Sequence, residues 1–398
     1  MRSAINRDVP LARPGEFRPL VLGALTLDPP VVLAPMAGVT NPPFRTLCRR
    51  FSSNRCLYVS EMITARAFVR GHRKTLHLAS FGQEETTKSI QLYGTQAESL
   101  GVAAKILAEE WGVDHIDINL GCPVRKVTGQ GGGAAIPVKP KLMARLVGAV
   151  VQNAGAVPVT VKFRKGIDDS LLTYLDAGRV AADVGCKAVA LHARTAAQLY
   201  AGDADWPAIA ALKQAVTGIP VLGNGDVFEG CDALRMMRDT GCDGVVVGRG
   251  CLGRPWLFRD LVDVFAGREP QQPPNLGEVC DTVAAHARLL LDFFGERVAM
   301  LHMRRFACWY TKCFPGAARK HHELQQIATL ADLDRILATL PRDVPFPVEA
   351  LRVKRGKSTG TQRVSLPDGY LATRDDDRGP ADDGDAAAAA EAEALSGG

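Results

Sequence analysis

The chain has 398 residues, 46% of them apolar, with 39 Gly and 24 Pro, an ordinary globular composition with enough chain for one large folded unit and a smaller one. Its net charge of +5 is uneven, because residues 374–398 carry −6 and leave +11 on the rest, a basic body that tolerates a polyanionic partner. No run of 18 apolar residues occurs, which excludes a helical membrane span, and the ten Cys contain no C-x-x-C pair, which argues against a zinc or redox motif and for reduced thiols in the cytoplasm.

The opening MRSAINRDVPLARPG lacks the apolar stretch of a secretory leader. From residue 31 onward, short apolar and β-branched runs recur: VVLAPM (31–36), LYVSEM (57–62), SIQLYG (89–94), HIDINLG (115–121), PVTVKF (158–163), AVALHA (188–193), PVLGNG (220–225) and GVVVGR (244–249). Several do not alternate, as expected of strands buried on both faces. Helix-length stretches such as AESLGVAAKILAEEWG and LLTYLDAGRVAADVG lie between them. Eight βα units in about 230 residues predict an α/β fold, a (β/α)8 TIM barrel over residues 18–265, with an open doubly wound sheet as the competing arrangement. PQQPPNLGE (270–278) then breaks the pattern, and Asn275 with Glu278 has capping-box spacing. Residues 275–340 contain no further strand run and predict a C-terminal all-helical domain. Periodicity lapses from 342, so 342–398 reads as an extension ending in a disordered, acidic, Ala-rich tail.

In such a barrel the active site lies at the carboxyl ends of the strands. Those ends carry Pro35 and Met36, Glu61, Gln91, Asn119, Lys162, His192, Asn224-Gly225-Asp226 and Gly248-Arg249. Polar groups closing apolar strands are costly unless they are paired or bind something. In GNGD and GRG, glycines let backbone N–H groups approach an anion and Arg249 adds a fork of donors, which suits a phosphate; the plain alternative is a pair of tight turns. Lys162 fits a cofactor contact or a simple carboxylate pair. Cys122, in NLGCPVRKV (119–127), follows the fourth run with Arg125 and Lys126 close by. A lone Cys is usually a small packing residue, whereas a basic loop at a barrel mouth makes a thiol reactive. GQGGGAA, from Gly129, is no dinucleotide fingerprint, because no strand directly precedes it; GKS at 356–358 is no P-loop, because Leu351 stands where its first Gly is needed. FACWYTKCFPGAARKHH (306–322) interleaves aromatics with basic residues. With Arg304, Arg305, Lys312, Arg319 and Lys320 it suits phosphate contacts plus base stacking, or else a solvated basic face.

Nine motifs together resemble the bacterial tRNA-dihydrouridine synthases, and among them the DusB type. They are APMAGVTNPPFR (34–45), SEM (60–62), QLYG (91–94), NLGCPVRKV, VKFRKG (161–166), HARTAAQLYAGDADW (192–206), GNGD (223–226), GRG (248–250) and WYTKCFPGA (309–317). They occur in the family's order between residues 18 and 340. The resemblance implies FMN in the barrel, NADPH as reductant and tRNA bound by the helical domain, with no metal; a cytoplasmic monomer is expected. The implied reaction saturates the 5,6 double bond of uridine, with hydride from FMN to C6 and a proton from Cys122, the matching catalytic residue, to C5. Pro35, Met36 and Ala37 match the motif that packs on the flavin. Gln91 and Lys162 match its ring contacts, and His192, Asn224, Gly225, Asp226, Gly248 and Arg249 its ribityl and phosphate contacts. Asn119 is expected to help place the base, and Arg304, Lys312 and Arg319 to contact tRNA. Two departures stand out: Cys313 where the family often has Gly, and Ala193 in HART where HGRT is commoner. A flavin barrel acting on a free pyrimidine would need no basic helical domain, and a non-catalytic RNA-binding protein would have no use for the polar strand ends and Cys122.

Overall fold

All eight runs are strands, and they close on themselves. In the computed structural model, which describes residues 1–356 and 360–378, β1 (Val31–Leu33), β2 (Leu57–Thr64), β3 (Ser89–Tyr93), β4 (His115–Leu120), β5 (Val159–Arg164), β6 (Ala188–His192), β7 (Val221–Asn224) and β8 (Gly244–Val247) form one parallel closed barrel. Pairing of Val245 in β8 with Val31 in β1 removes the edges that an open sheet would keep. The Ala-rich tail lies outside the described residues.

Helices follow each strand, as parallel connections require. They are α1 (Pro42–Ser52), α2 (Arg73–Ala79), α3 (Ala97–Glu109), α4 (Pro140–Asn153), α5 (Tyr174–Asp183), α6 (Trp206–Ala215), α7 (Gly230–Thr240) and α8 (Leu257–Phe265). Local chemistry sets their ends. The Asn41 side chain accepts from the Phe44 N–H at the start of α1, with Pro42 in its first turn, an arrangement that satisfies an otherwise orphaned donor.

The barrel interior is divided. On the side of β1, β2 and β6–β8 it is apolar, with Val32, Leu57, Val59, Ala188, Ala190, Leu222 and Val246 packed on Leu20, Leu22 and Leu27 of an N-terminal hairpin. On the side of β3–β5 it is polar and buried, with Ser89, Gln91, His115, Asp117 and Thr160. That division places the buried polar network of the barrel interior on three adjacent strands.

Beyond the barrel, α9 (Leu276–Phe294), α10 (Glu296–Tyr310), a short helix His321–Leu324 and α11 (Leu330–Ala338) form an all-helical region. The Asn275–Glu278 capping box is present at the start of α9. The apolar core of this region is continuous with the outer core of the barrel. Cys313 takes φ +72, so the backbone keeps the left-handed bend that glycine adopts freely, at a penalty of ~1–2 kcal/mol for a residue with a Cβ.

Candidate active site

Nine of the eleven residues singled out as cofactor contacts line one pocket at the carboxyl ends of the strands: Pro35, Met36, Lys162, His192, Asn224, Gly225, Asp226, Gly248 and Arg249. Ala37 is exposed at the rim, and Gln91 lies deeper, inside the barrel. Gly225 is required where it stands. Its φ is +131, and a Cβ there would come within 2.6 Å of the Ala204 Cβ.

Sequence reading passed over Arg194, although HART displays it two residues after His192. Its guanidinium is fully buried. Nη2 donates to both oxygens of Asp226 at 2.8 and 2.9 Å, and Nε donates to the Ala201 carbonyl at 3.1 Å. Nη1 has no hydrogen-bond partner among the described residues and lies beside Gly225. Arg249 also faces Asp226, at 3.5 Å, and stacks over the Tyr200 ring at 4.6 Å. Asp226 therefore orients two arginines.

Lys162 and Arg164 complete a cationic wall around His192. Burial first, then Arg164, Lys162, Arg194 and Arg249, push the His192 pKa well below its ordinary value, so its imidazole is neutral. Lys162 is drawn down to about 8, by burial first and Arg164 second, with Asp117 opposing. A buried guanidinium nitrogen without a partner, a surplus of cations and a glycine-cleared floor suit an anionic phosphate monoester. No cluster of His, Cys, Asp or Glu able to hold a metal occurs among the described residues.

Beneath the pocket runs a hydrogen-bonded chain whose polarity can be followed atom by atom. Thr160 donates to Asp117 Oδ1 at 2.6 Å, so it accepts from His115 Nε2 at 2.9 Å. His115 Nδ1 then accepts from Ser89 at 2.8 Å. Burial pushes the His115 pKa down to about 3, consistent with one ring proton. From the other side, Gln91 Nε2 donates to Asp117 Oδ2 at 2.6 Å, and Asn119 Nδ2 donates to Gln91 Oε1 at 2.9 Å. Asn119 Oδ1 accepts from the backbone N–H groups of Gly121 and Cys122 at 3.1 and 2.9 Å. Asp117 is where the two chains converge. Burial raises its pKa to about 6 against the opposing pull of Thr160, Gln91 and Lys162. Both amide atoms of Gln91 and of Asn119 are thereby engaged within the protein, and Asn119 holds the loop that carries Cys122.

Cys122 is half-buried in that loop. Its carbonyl accepts from the Ala134 N–H at 3.0 Å. Gly133, at φ +54, permits this fold-back, since a Cβ there would lie 2.5 Å from the Cys122 oxygen. The glycine run is thus a close turn over the cysteine. Arg125 and Lys126, expected near the thiol, are exposed on the short helix Arg125–Thr128. Arg164 is a cation close enough to Cys122 to interact with it electrostatically. Its Nε donates to the Gly121 carbonyl at 3.0 Å and its Nη1 to the Leu199 carbonyl at 2.7 Å, so it links the cysteine loop to the loop of Tyr200. VKFRKG contains this residue, but sequence alone does not say that Arg164 joins Lys162 at the site.

The helical region approaches the pocket rim through α10. Arg305 Nη2 donates to the Gly38 carbonyl at 2.9 Å, and the Gly38 N–H donates to Glu61 at 2.8 Å. Arg304 Nε is bonded to the Ile327 carbonyl and Lys312 Nζ to the Lys354 carbonyl, both at 3.0 Å, and Arg319 is exposed. None of these three lines the pocket.

A parallel (β/α)8 barrel with a cationic, glycine-floored pocket at its strand ends is the class that fold and site define. Within it, the chain belongs to the dihydrouridine synthase (Dus) family, whose sequence model matches residues 32–344. It is 50% identical over 368 residues to a probable tRNA-dihydrouridine synthase of Mycobacterium tuberculosis, covering 91% of this chain and 94% of that protein. It is 40% identical over 301 residues to tRNA-dihydrouridine synthase B of Xanthomonas axonopodis pv. citri, covering 75% and 88%. Among solved structures it is similar to histamine dehydrogenase from Rhizobium sp. 4-9, with a TM-score of 0.49, 12% identity and coverage of 71% of this chain and 51% of that one.

Proposed function

We propose that this protein reduces uridines in tRNA to 5,6-dihydrouridine, with FMN in the barrel pocket and Cys122 as the proton donor. Arg194, Arg249 and the Gly225 turn would hold the FMN phosphate, and Met36 and Lys162 its ring system. Held there, FMN would supply the hydride that C6 receives, with NADPH as its reductant.

The chain's own groups do the rest. The thiol of Cys122 gives its proton to C5, and Arg164 stabilises the thiolate left behind. Asn119 holds the thiol's loop through two backbone N–H groups. Lys162, charged at neutral pH, stabilises negative charge on an oxygen of the reacting base. His192, being neutral, serves as a hydrogen-bond donor and not as an acid. Arg319, with Arg304 and Lys312, gives the helical region a basic face for tRNA phosphates. The reading places the enzyme with its substrate in the cytoplasm, acting as a monomer.

The observation that carries this reading is the half-buried Cys122 beside Arg164, at the end of the strand next to Lys162. Its test is Cys122→Ala. The variant should retain FMN and accept hydride from NADPH, while oxidation of its reduced flavin by tRNA slows at least ~100-fold, the lower bound of a general-acid contribution. Wild-type turnover with chemistry rate-limiting, read as dihydrouridine by mass spectrometry, would remove Cys122 from the mechanism. Oxidation by free uridine as fast as by tRNA would favour the free-pyrimidine reading.

A further inference from the structure

The family match ends at residue 344, but the chain beyond it returns to the barrel mouth. Arg352 Nη1 bonds Glu229 at 2.8 Å and Asp232 at 2.9 Å, and the buried Arg355 donates to the Trp309 carbonyl at 2.8 Å. Further on, Val364, Leu366 and Tyr370 pack with Ala135, Val138 and Ile167 in a small apolar cluster. That cluster fastens the segment.

Between these anchors, Gln362 lies across two loops of the active site. Its Nε2 donates to the Pro123 carbonyl, immediately after Cys122, at 2.6 Å. The same nitrogen donates to the Ala196 carbonyl at 3.1 Å, in the loop after β6 that also carries Arg194 and Tyr200. Its backbone N–H donates to the Ala197 carbonyl at 2.9 Å. The Tyr370 hydroxyl lies 3.3 Å from the carbonyls of both Gly131 and Ala135, at the far end of the cysteine loop. That loop contains five glycines, at 121, 129 and 131–133, and has much conformational entropy to lose. A tie from outside therefore matters to where its thiol sits.

We propose that residues 360–373 form a strap that sets the position of the Cys122 loop against the loop after β6, with Gln362 as the positioning residue and Tyr370 as the second tie. The proposal rests on the reading of Cys122 as the acid. A donor of protons must sit within a fraction of an ångström of its productive position, since a displacement of ~1 Å can reduce rate ~10²-fold. One amide with two N–H donors, each able to serve a different loop, fixes the relative register of both.

The discriminating variant is Gln362→Glu in the FMN holoenzyme, close in shape but facing two carbonyl oxygens with a carboxylate. Two rates are measured: alkylation of Cys122 by iodoacetamide without tRNA, located by peptide mass spectrometry, and single-turnover oxidation of reduced flavin by tRNA. Cys308, also half-buried, is the internal control for alkylation. Cys122 alkylation should change by about threefold or more while Cys308 does not. Flavin oxidation should fall about tenfold, with the KM for tRNA within about twofold. The loss should be smaller at pH 5 than at pH 8, because protonation of the new carboxyl restores one donor. Tyr370→Phe removes the second tie with little change of volume and should move Cys122 alkylation alone in the same way. Wild-type values of both rates in both variants would overturn the proposal, as would equal changes at Cys122 and Cys308, or loss of folding in both variants. Altered alkylation of Cys122 with unaltered tRNA-dependent oxidation would support the strap and instead overturn Cys122 as the acid.

Discussion

Glu61→Gln should make the folded protein less sensitive to alkaline pH. Glu61 sits in β2, is 2% exposed, and accepts the Gly38 N–H at 2.8 Å. Burial raises its carboxyl from 4.5 to about 7, against the opposing pull of Gly38, Arg45, Arg305 and Lys74. The folded pKa lies above the unfolded one. The contribution of this group to stability is therefore fully present below pH 4.5, where the unfolded chain begins to ionise. It is lost as pH rises through about 7, where the folded protein follows. The gap corresponds to ~3 kcal/mol once both states are ionised. Glutamine keeps an oxygen for the Gly38 N–H and never ionises. Between pH 5 and pH 8 the wild type should thus lose ~2–3 kcal/mol relative to the variant. Asp117, whose pKa is also raised, is the same in both proteins and drops out of the difference. Urea unfolding of both proteins at pH 5, 6.5 and 8, compared through the midpoints at constant m, reads the effect. Parallel pH profiles for the two would refute the argument.

Three other substitutions probe separate parts of the site. Arg249→Met should weaken FMN binding about 10- to 100-fold, the weight of one charge-assisted hydrogen bond, while Arg194 still holds Asp226; an unchanged affinity in a flavin-fluorescence titration would argue against the phosphate assignment. Arg319→Ala should lower tRNA affinity and reduce the slope of log K against log salt by about one, without changing flavin reduction by NADPH; an unaltered slope would take this residue out of the RNA contact. Cys313→Gly should stabilise the protein by ~1 kcal/mol, because the φ of +72 then carries no steric penalty; a lower urea midpoint would show that the packing of the side chain outweighs the strain.

The strands, their order and the residues at their ends were legible because each is a local property of the chain. A strand covered on both faces is apolar along most of its length, so VVL, ALH and VLGN announce themselves without reference to anything distant. The pocket residues His192, Asn224 and Arg249 follow, since in this architecture a polar residue that closes an apolar run falls at the carboxyl rim. The capping box at Asn275 and Glu278 was legible for the same reason, being complete within four residues.

What tertiary structure alone decided depends on groups far apart in sequence. VKFRKG contains three cations, and only the path of its neighbours turns Arg164 inward to the Gly121 and Leu199 carbonyls. Arg125 and Lys126 adjoin Cys122 in sequence, yet the first turn of their helix directs them to solvent. Gln91 and Asn119 read as amides free to meet a ligand, until Asp117, on the neighbouring strand to Gln91, takes up one donor and orients both amides in turn. Residues 360–373 have no periodicity, because their order comes from single bonds such as that of Gln362 to Pro123, 239 residues away. Periodic burial is encoded along the chain itself, whereas the direction of a hydrogen bond is set by whichever group folding brings opposite.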